Sequence, residues 1–138
     1  MSDTKTDTVT GGCRCGAVRF KVPAEPAVQL LCHCPDCKHI SGGPAYAAYV
    51  VPLDEFELTA GEVTAYDVIA QSGQTNSRRF CPICGSRVYA EIHSMGMASV
   101  NGMALDNGEH FNPGTHYFVD TAPSWCALNS ALVSMPSG

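Results

Sequence analysis

Apolar and polar residues alternate along most of this chain. Val18, Phe20 and Val22 are interleaved with Arg19 and Lys21, the signature of a strand with one buried face. Val28, Leu30, Cys32 and Cys34 share one parity. Tyr46 to Val51 is a short apolar run stopped by Pro52, and Phe56 and Leu58 alternate with Glu55, Glu57 and Thr59 before an Ala60-Gly61-Glu62 turn. Val88, Ala90 and Ile92 alternate with Arg87, Tyr89 and Glu91, and Tyr117 and Val119 with His116, Phe118 and Asp120. No stretch sustains a helical period. One turn of helix is expected after Cys37, through Lys38 and Ile40, ending at Ser41-Gly42-Gly43-Pro44. The pattern predicts a mainly β protein of short antiparallel strands with little helix.

The chain has 138 residues, enough for one domain with a real core and small enough for a metal staple to matter. We expect a flexible tail over 1–9, one domain over 10–133 and a frayed end over 134–138. The polar N-terminus, Met1-Ser2-Asp3-Thr4-Lys5, has no apolar core of a secretory signal. No apolar run approaches the roughly 18 residues of a membrane span. The expectation is a cytoplasmic protein with no membrane partner. A net charge of −5 without any basic stripe argues against nucleic acid.

Eight cysteines change this picture. In a reducing compartment they point to metal or catalysis rather than disulfides. Seven fall into three clusters: Cys13-Arg14-Cys15, Cys32-His33-Cys34-Pro35-Asp36-Cys37 and Cys81-Pro82-Ile83-Cys84. A C-x-x-C followed by Gly85 reads as a metal-binding turn that supplies two ligands, where a structural zinc needs four. Cys13 and Cys15 sit two apart, so an extended backbone points both sulfurs to one side. Pairing these two clusters gives a four-thiolate zinc site that ties an early strand to a late turn.

Cys32, Cys34 and Cys37 remain. Three protein ligands leave a fourth zinc position open, the arrangement of catalytic sites. A closed alternative would take His33, His39, His93, His110, His116 or Cys126 as fourth ligand. Three thiolates around Zn²⁺ make an electron-rich, weakly Lewis-acidic centre, better suited to holding another thiol as thiolate than to making hydroxide. A small thiol and a small aldehyde form a natural substrate pair. Arg14, Arg78, Arg79 and Arg87 lie beside the ligands in sequence and are candidates to offset their charge or to hold substrate carboxylates. His39, just past the third cysteine, is a candidate stabiliser of the developing alkoxide.

Gly12-Cys13-Arg14-Cys15-Gly16-Ala17-Val18-Arg19-Phe20 resembles the opening of the glutathione-dependent formaldehyde-activating enzyme family, which also includes centromere protein V. Cys32-His33-Cys34 with Cys37 and Ser41-Gly42 resembles its central motif, and Phe80-Cys81-Pro82-Ile83-Cys84-Gly85-Ser86 its third. Val100-Asn101, Leu105-Asp106 and Trp125 are also similar. The resemblance implies antiparallel sheets arranged like a tent, a β-tent, around zinc. It implies a structural ion on Cys13, Cys15, Cys81 and Cys84 and a second ion on Cys32, Cys34 and Cys37. The implied activity is carbon–sulfur lyase chemistry, the addition of glutathione to formaldehyde giving S-(hydroxymethyl)glutathione. Two other classes compete with an enzyme: a non-catalytic zinc module and a redox sensor that loses its three-thiolate metal on oxidation.

Overall fold

The computed structural model describes residues 7–69 and 73–136. The described residues form eleven strands: β1 Thr8–Gly12, β2 Arg19–Pro23, β3 Val28–Cys32, β4 Tyr46–Pro52, β5 Glu57–Ala60, β6 Thr64–Ile69, β7 Thr75–Phe80, β8 Arg87–Ile92, β9 Met97–Asn101, β10 Thr115–Tyr117 and β11 Val133–Met135. One α-helix, α1 (Pro35–Ser41), and several single 3₁₀ turns complete the described residues. The protein is mainly β, as the alternation predicts.

Two sheets form. The smaller has the order β1-β2-β5; the larger has the order β11-β10-β3-β4-β9-β8-β7-β6. Most pairs are antiparallel, but β10 runs parallel to both β3 and β11, a departure from the all-antiparallel expectation. A short hairpin link cannot join parallel neighbours, and β10 reaches β3 only after more than eighty residues of chain.

The core lies between the sheets. Val9, Phe20 and Val22 from the smaller sheet meet Tyr49, Val51, Val88, Tyr89, Ala98 and Val100 from the larger. Phe20, Val22, Tyr49 and Val51 are at most 1% exposed. Phe56 stacks between Phe20 and Tyr89, with centroids 5.5 and 3.9 Å away. The Tyr49 hydroxyl donates to the Pro23 carbonyl at 2.6 Å, so its burial leaves no orphaned polar group. Where the alternation is one-sided, in β2, the predicted face is the buried one. Phe56 itself precedes β5, whose four residues are all exposed.

Two residues of the expected N-terminal tail are strand residues. Thr8 and Val9 pair with Pro23 and Val22, and Val9 is buried because it faces the core from β1. The tail over residues 1–6 lies outside the described residues. At the other end, Ser134 and Met135 pair with His116 and Tyr117 rather than fraying. The alternation expected across His116 to Asp120 is also corrected. Phe118 takes the left-handed conformation at φ 58°, which turns the chain out of β10 into a 3₁₀ turn. His116 is the buried residue of this strand.

Candidate metal centres and the chambers beside them

The helix starts two residues before Cys37 instead of after it. Cys34 is its N-cap, accepting the Cys37 N–H on its sulfur at 3.3 Å. Pro35 occupies the first turn, where its missing N–H costs nothing. Gly42 closes the helix in the left-handed conformation. This cap places Cys37 one turn along the helix from Cys34, back toward the end of β3. Cys32, Cys34 and Cys37 have sulfurs within 4.8 Å of one another. The segment is pinned from the C-terminal side. His33 N–H donates to the Tyr117 carbonyl at 2.9 Å, and the Thr121 hydroxyl donates to the His33 carbonyl at 2.9 Å.

Cys13, Cys15, Cys81 and Cys84 form the second group within 4.8 Å. Two similar turns build it. Gly16 N–H bonds the Cys13 carbonyl at 3.2 Å, and Gly85 N–H bonds the Cys81 carbonyl at 2.8 Å. Both glycines have positive φ, 84° and 79°, a conformation they adopt without a Cβ clash. The turns aim amides at sulfur: Val18 N–H at Cys13 (3.2 Å), and Ile83 and Cys84 N–H at Cys81 (3.4 Å each). Arg14 N–H donates to the Ser86 hydroxyl at 3.0 Å and joins the turns directly. Cys13 and Cys15 sulfurs are 3.5 Å apart, Cys15 and Cys81 sulfurs 3.8 Å. A tetrahedron with metal–sulfur bonds of about 2.3 Å has edges of about 3.8 Å. This set fits a tetrahedral thiophilic ion, and both groups can hold a metal.

Proton affinities within each group are driven apart. Hydrogen bonds from the Cys32 and Cys37 thiols, then the helix amides, pull Cys34 down to about 2. The hydrogen bond that Cys32 gives to Cys34, then burial, pushes Cys32 up to about 11. Cys37 is raised as well, by Cys32 and Cys34 and then by burial. Without a cation, three sulfurs this close cannot all ionise. In the other group the Ser86 hydroxyl, then its amide, hold Cys84 at about 5.

Among the described residues no histidine or eighth cysteine joins Cys32, Cys34 and Cys37. His33 turns to the opposite side and is 1% exposed. Its Nδ1 lies 2.9 Å from the Pro44 carbonyl and its Nε2 2.9 Å from His116 Nδ1. Asn129 N–H donates to His116 Nε2 at 3.1 Å. These contacts assign the tautomers. His116 carries its proton on Nδ1 and donates to His33 Nε2; His33 carries its proton on Nδ1 and donates to Pro44. Both rings are neutral and fully bonded, and burial followed by repulsion from His33 lowers the His116 pKa. His39 is exposed, with Nδ1 at 2.8 Å from the Pro35 carbonyl, and lines neither chamber described below. His93 is exposed and pairs with Glu91.

The larger chamber, about 580 Å³, is bounded by His33, His116, Tyr46, Arg87 and Cys126 among others. A smaller one, about 70 Å³, is lined by Cys37, Tyr46, Arg78 and Arg87 together with Ile40 and Tyr89. Strand register explains its walls. Cys32 lies opposite Tyr46, Arg78 opposite Ala90, and Ala90 opposite Ser99. Directly opposed residues share a face, so one face of the larger sheet carries this row while the other packs into the core. Tyr46 is the site residue the sequence pattern concealed, being one aromatic in an apolar run. Of the four candidate arginines, Arg79 is bound by Glu91 at 3.1 Å and Arg14 is exposed. Arg78 and Arg87 alone reach the small chamber.

Comparison with known proteins places this arrangement. A protein of Halomonas elongata, provisionally named a glutathione-dependent formaldehyde-activating enzyme, is 27% identical over 126 residues, covering 87% of this chain and 80% of that protein. The crystal structure of a Rhodobacter sphaeroides protein superposes with a TM-score of 0.57 at 24% identity, covering 71% of this chain and 88% of that one, which bears on the fold alone. The family model described as glutathione-dependent formaldehyde-activating enzyme matches residues 8–121. That span holds both cysteine groups, and the chain belongs to the glutathione-dependent formaldehyde-activating enzyme family.

Proposed function

We propose that this protein is a zinc-dependent, carbon–sulfur lyase-like enzyme that joins a small thiol, glutathione or a similar one, to formaldehyde or another small aldehyde. One observation carries the reading: three sulfurs converge beside a chamber, with no fourth protein ligand among the described residues. Cys13, Cys15, Cys81 and Cys84 would hold a structural zinc, and Cys32, Cys34 and Cys37 a second one. That second zinc, when bound, would supply a position at which a thiol is held deprotonated at neutral pH.

The chain's own residues provide the rest. The thiolate sulfur bonds to the carbonyl carbon, the carbonyl π pair moves to oxygen, and the proton given up by the thiol ends on that oxygen. Tyr46 stands opposite Cys32 on the same sheet face and lines both chambers. Burial, then the charge on Cys37, raises its phenol above the ordinary value, so it stays a hydrogen-bond donor at neutral pH. It is the donor best placed toward the developing alkoxide, ahead of the exposed His39. The helix amide on Cys34 adds to the hydrogen bonds from Cys32 and Cys37 in favouring the thiolate, and it fixes that sulfur's direction. Ile40, Ala90 and Ile92 give the chamber an apolar wall.

Formaldehyde and glutathione combine without a catalyst, so net product is a poor assay. Exchange at equilibrium, followed by NMR with labelled formaldehyde, separates catalysis from background. The zinc-loaded protein is expected to accelerate exchange and Cys34→Ser to lose the effect. Zinc-loaded protein that leaves the exchange rate unchanged with glutathione and with other small thiols refutes the enzyme reading.

A further inference from the structure

Arg78 sits in β7 and is 8% exposed. Arg87, at the start of β8, is only half-buried as a residue, yet one of its terminal nitrogens is fully enclosed. Arg78 Nε and Arg87 Nη1 are buried donors without a hydrogen-bond partner. Among the described residues they are the two side-chain atoms in this condition, and both belong to residues lining the small chamber with Cys37. Two neighbouring guanidinium groups repel, and leaving buried N–H groups unmet is costly. Arg87 lies over the Phe80 ring at 5.6 Å, which offsets part of its lost hydration but supplies no acceptor. Burial, then Arg78, lowers its pKa. Among the described residues no carboxylate borders the chamber. Arg79, next in sequence to Arg78, has its acid in Glu91.

We propose that Arg78 and Arg87 form a carboxylate subsite, so that the thiol substrate is one that carries a carboxylate held in the chamber beside Cys37. This rests on the reading of Cys32, Cys34 and Cys37 as the thiol-binding centre. One unmet donor on each guanidinium matches the two oxygens of a single carboxylate, one bond to each. Arginine recognises such planar acceptors through its fixed fork. Ile40, Ala90, Ile92 and the Tyr89 ring supply the apolar part of the remaining wall, and Tyr46, Asn76 and Ser99 the polar part. The subsite orients its substrate from Cys37, on α1, and is therefore a specificity device.

The test uses zinc-loaded and cobalt(II)-loaded full-length protein. Arginine Nε–H signals of the zinc form are followed by NMR during titration with propionate and, separately, propionamide. Propionate is expected to shift the Arg78 and Arg87 signals saturably and propionamide to leave them unmoved. Arg78→Lys, which keeps the charge but loses the fork, is expected to weaken propionate about tenfold or more, and Arg78→Met to abolish its effect. In the cobalt form, charge-transfer bands report thiol binding. Wild type is expected to bind 3-mercaptopropionate about tenfold tighter than 3-mercaptopropionamide, and Arg78→Met to bind the two equally. If propionate moves neither arginine signal, or wild type binds both thiols equally, the carboxylate subsite is overturned whatever the variants do. If neither thiol alters the cobalt bands while propionate still saturates the arginine signals, the thiol-binding reading fails and the anion subsite survives.

Discussion

Replacing Cys84 by Ser should cost this protein far more stability than replacing Cys34, although each change removes one sulfur from a group that can hold a metal. The difference follows from what each group ties together. Cys15 and Cys81 are 66 positions apart, whereas Cys34 and Cys37 are 3 apart. Closing a loop of that larger size removes about 4 kcal/mol of entropy from the unfolded chain on the disulfide scale; closing the small one removes almost nothing new. Unfolding entropy scales at about 2.1 cal/mol/K per residue. For 138 residues, losing about 4 kcal/mol should lower the melting temperature by about 10–15 °C. The loss can be larger, because a structural zinc contributes about 10–16 kcal/mol in zinc-finger peptides. Here Arg14–Ser86 and the Gly11–Leu105 bridge also hold the N-terminal strands to the rest, so the loop term is the firmer figure. The assay is thermal unfolding by circular dichroism, with metal content measured on the same samples. Cys34→Ser should shift the midpoint by about 4 °C or less. Cys84→Ser protein that has lost one metal yet melts within a few degrees of wild type would refute the assignment of that group as the structural tie. So would Cys34→Ser being the more destabilised of the two.

The same samples give a second check: Cys34→Ser should carry about one zinc per chain against about two in wild type, assuming both sites load. Tyr46→Phe should slow the equilibrium exchange about tenfold or more with little change in melting temperature, since its hydroxyl makes one long bond, to the Ser99 carbonyl at 3.4 Å. Phe20→Ala, at 0% exposure and stacked on Phe56, should cost about 3–5 kcal/mol in a denaturant titration. The His33–His116 pair predicts a pH dependence. His116 has a folded pKa below its unfolded value near 6.5, so the folded state binds fewer protons. Stability is then complete above about pH 6.5 and falls as the pH drops through the folded value. His116→Gln should flatten the change in denaturation midpoint between about pH 7.5 and pH 5.5; an unchanged slope would count against the neutral, singly protonated chain of rings.

Several features were legible in the order of residues because they are local. The β2 face shows in the parity of Val18, Phe20 and Val22, since side chains alternate strictly along a strand. The two cysteine groups show in the cysteine spacings, since a turn of fixed size brings sulfurs two or three residues apart to one point. The start of α1 was displaced because capping by the Cys34 sulfur competes with the apparent turn at Pro35-Asp36. The strand β1 was hidden because Thr8-Val9-Thr10-Gly11-Gly12 holds a single apolar residue, too little to show a period. Strands β6 and β7 were hidden because β6 is almost wholly exposed and β7 buries Ser77 and Arg78 instead of apolar residues.

What only tertiary structure decided is non-local. The sequence placed four arginines near the cysteines and could not rank them. Pairing of β7 with β8, and of β8 with β9, put Arg78 on the chamber face and gave Arg79 to Glu91. Likewise, residues 83 positions apart became one hydrogen-bonded chain through His33 and His116, removing both from the list of metal ligands. Cysteine spacing determined which atoms can share a metal, because short chains meet by local geometry alone. Register between distant strands determined which cations and hydroxyls face those sulfurs, because a shift of one residue turns every side chain to the other side of the sheet.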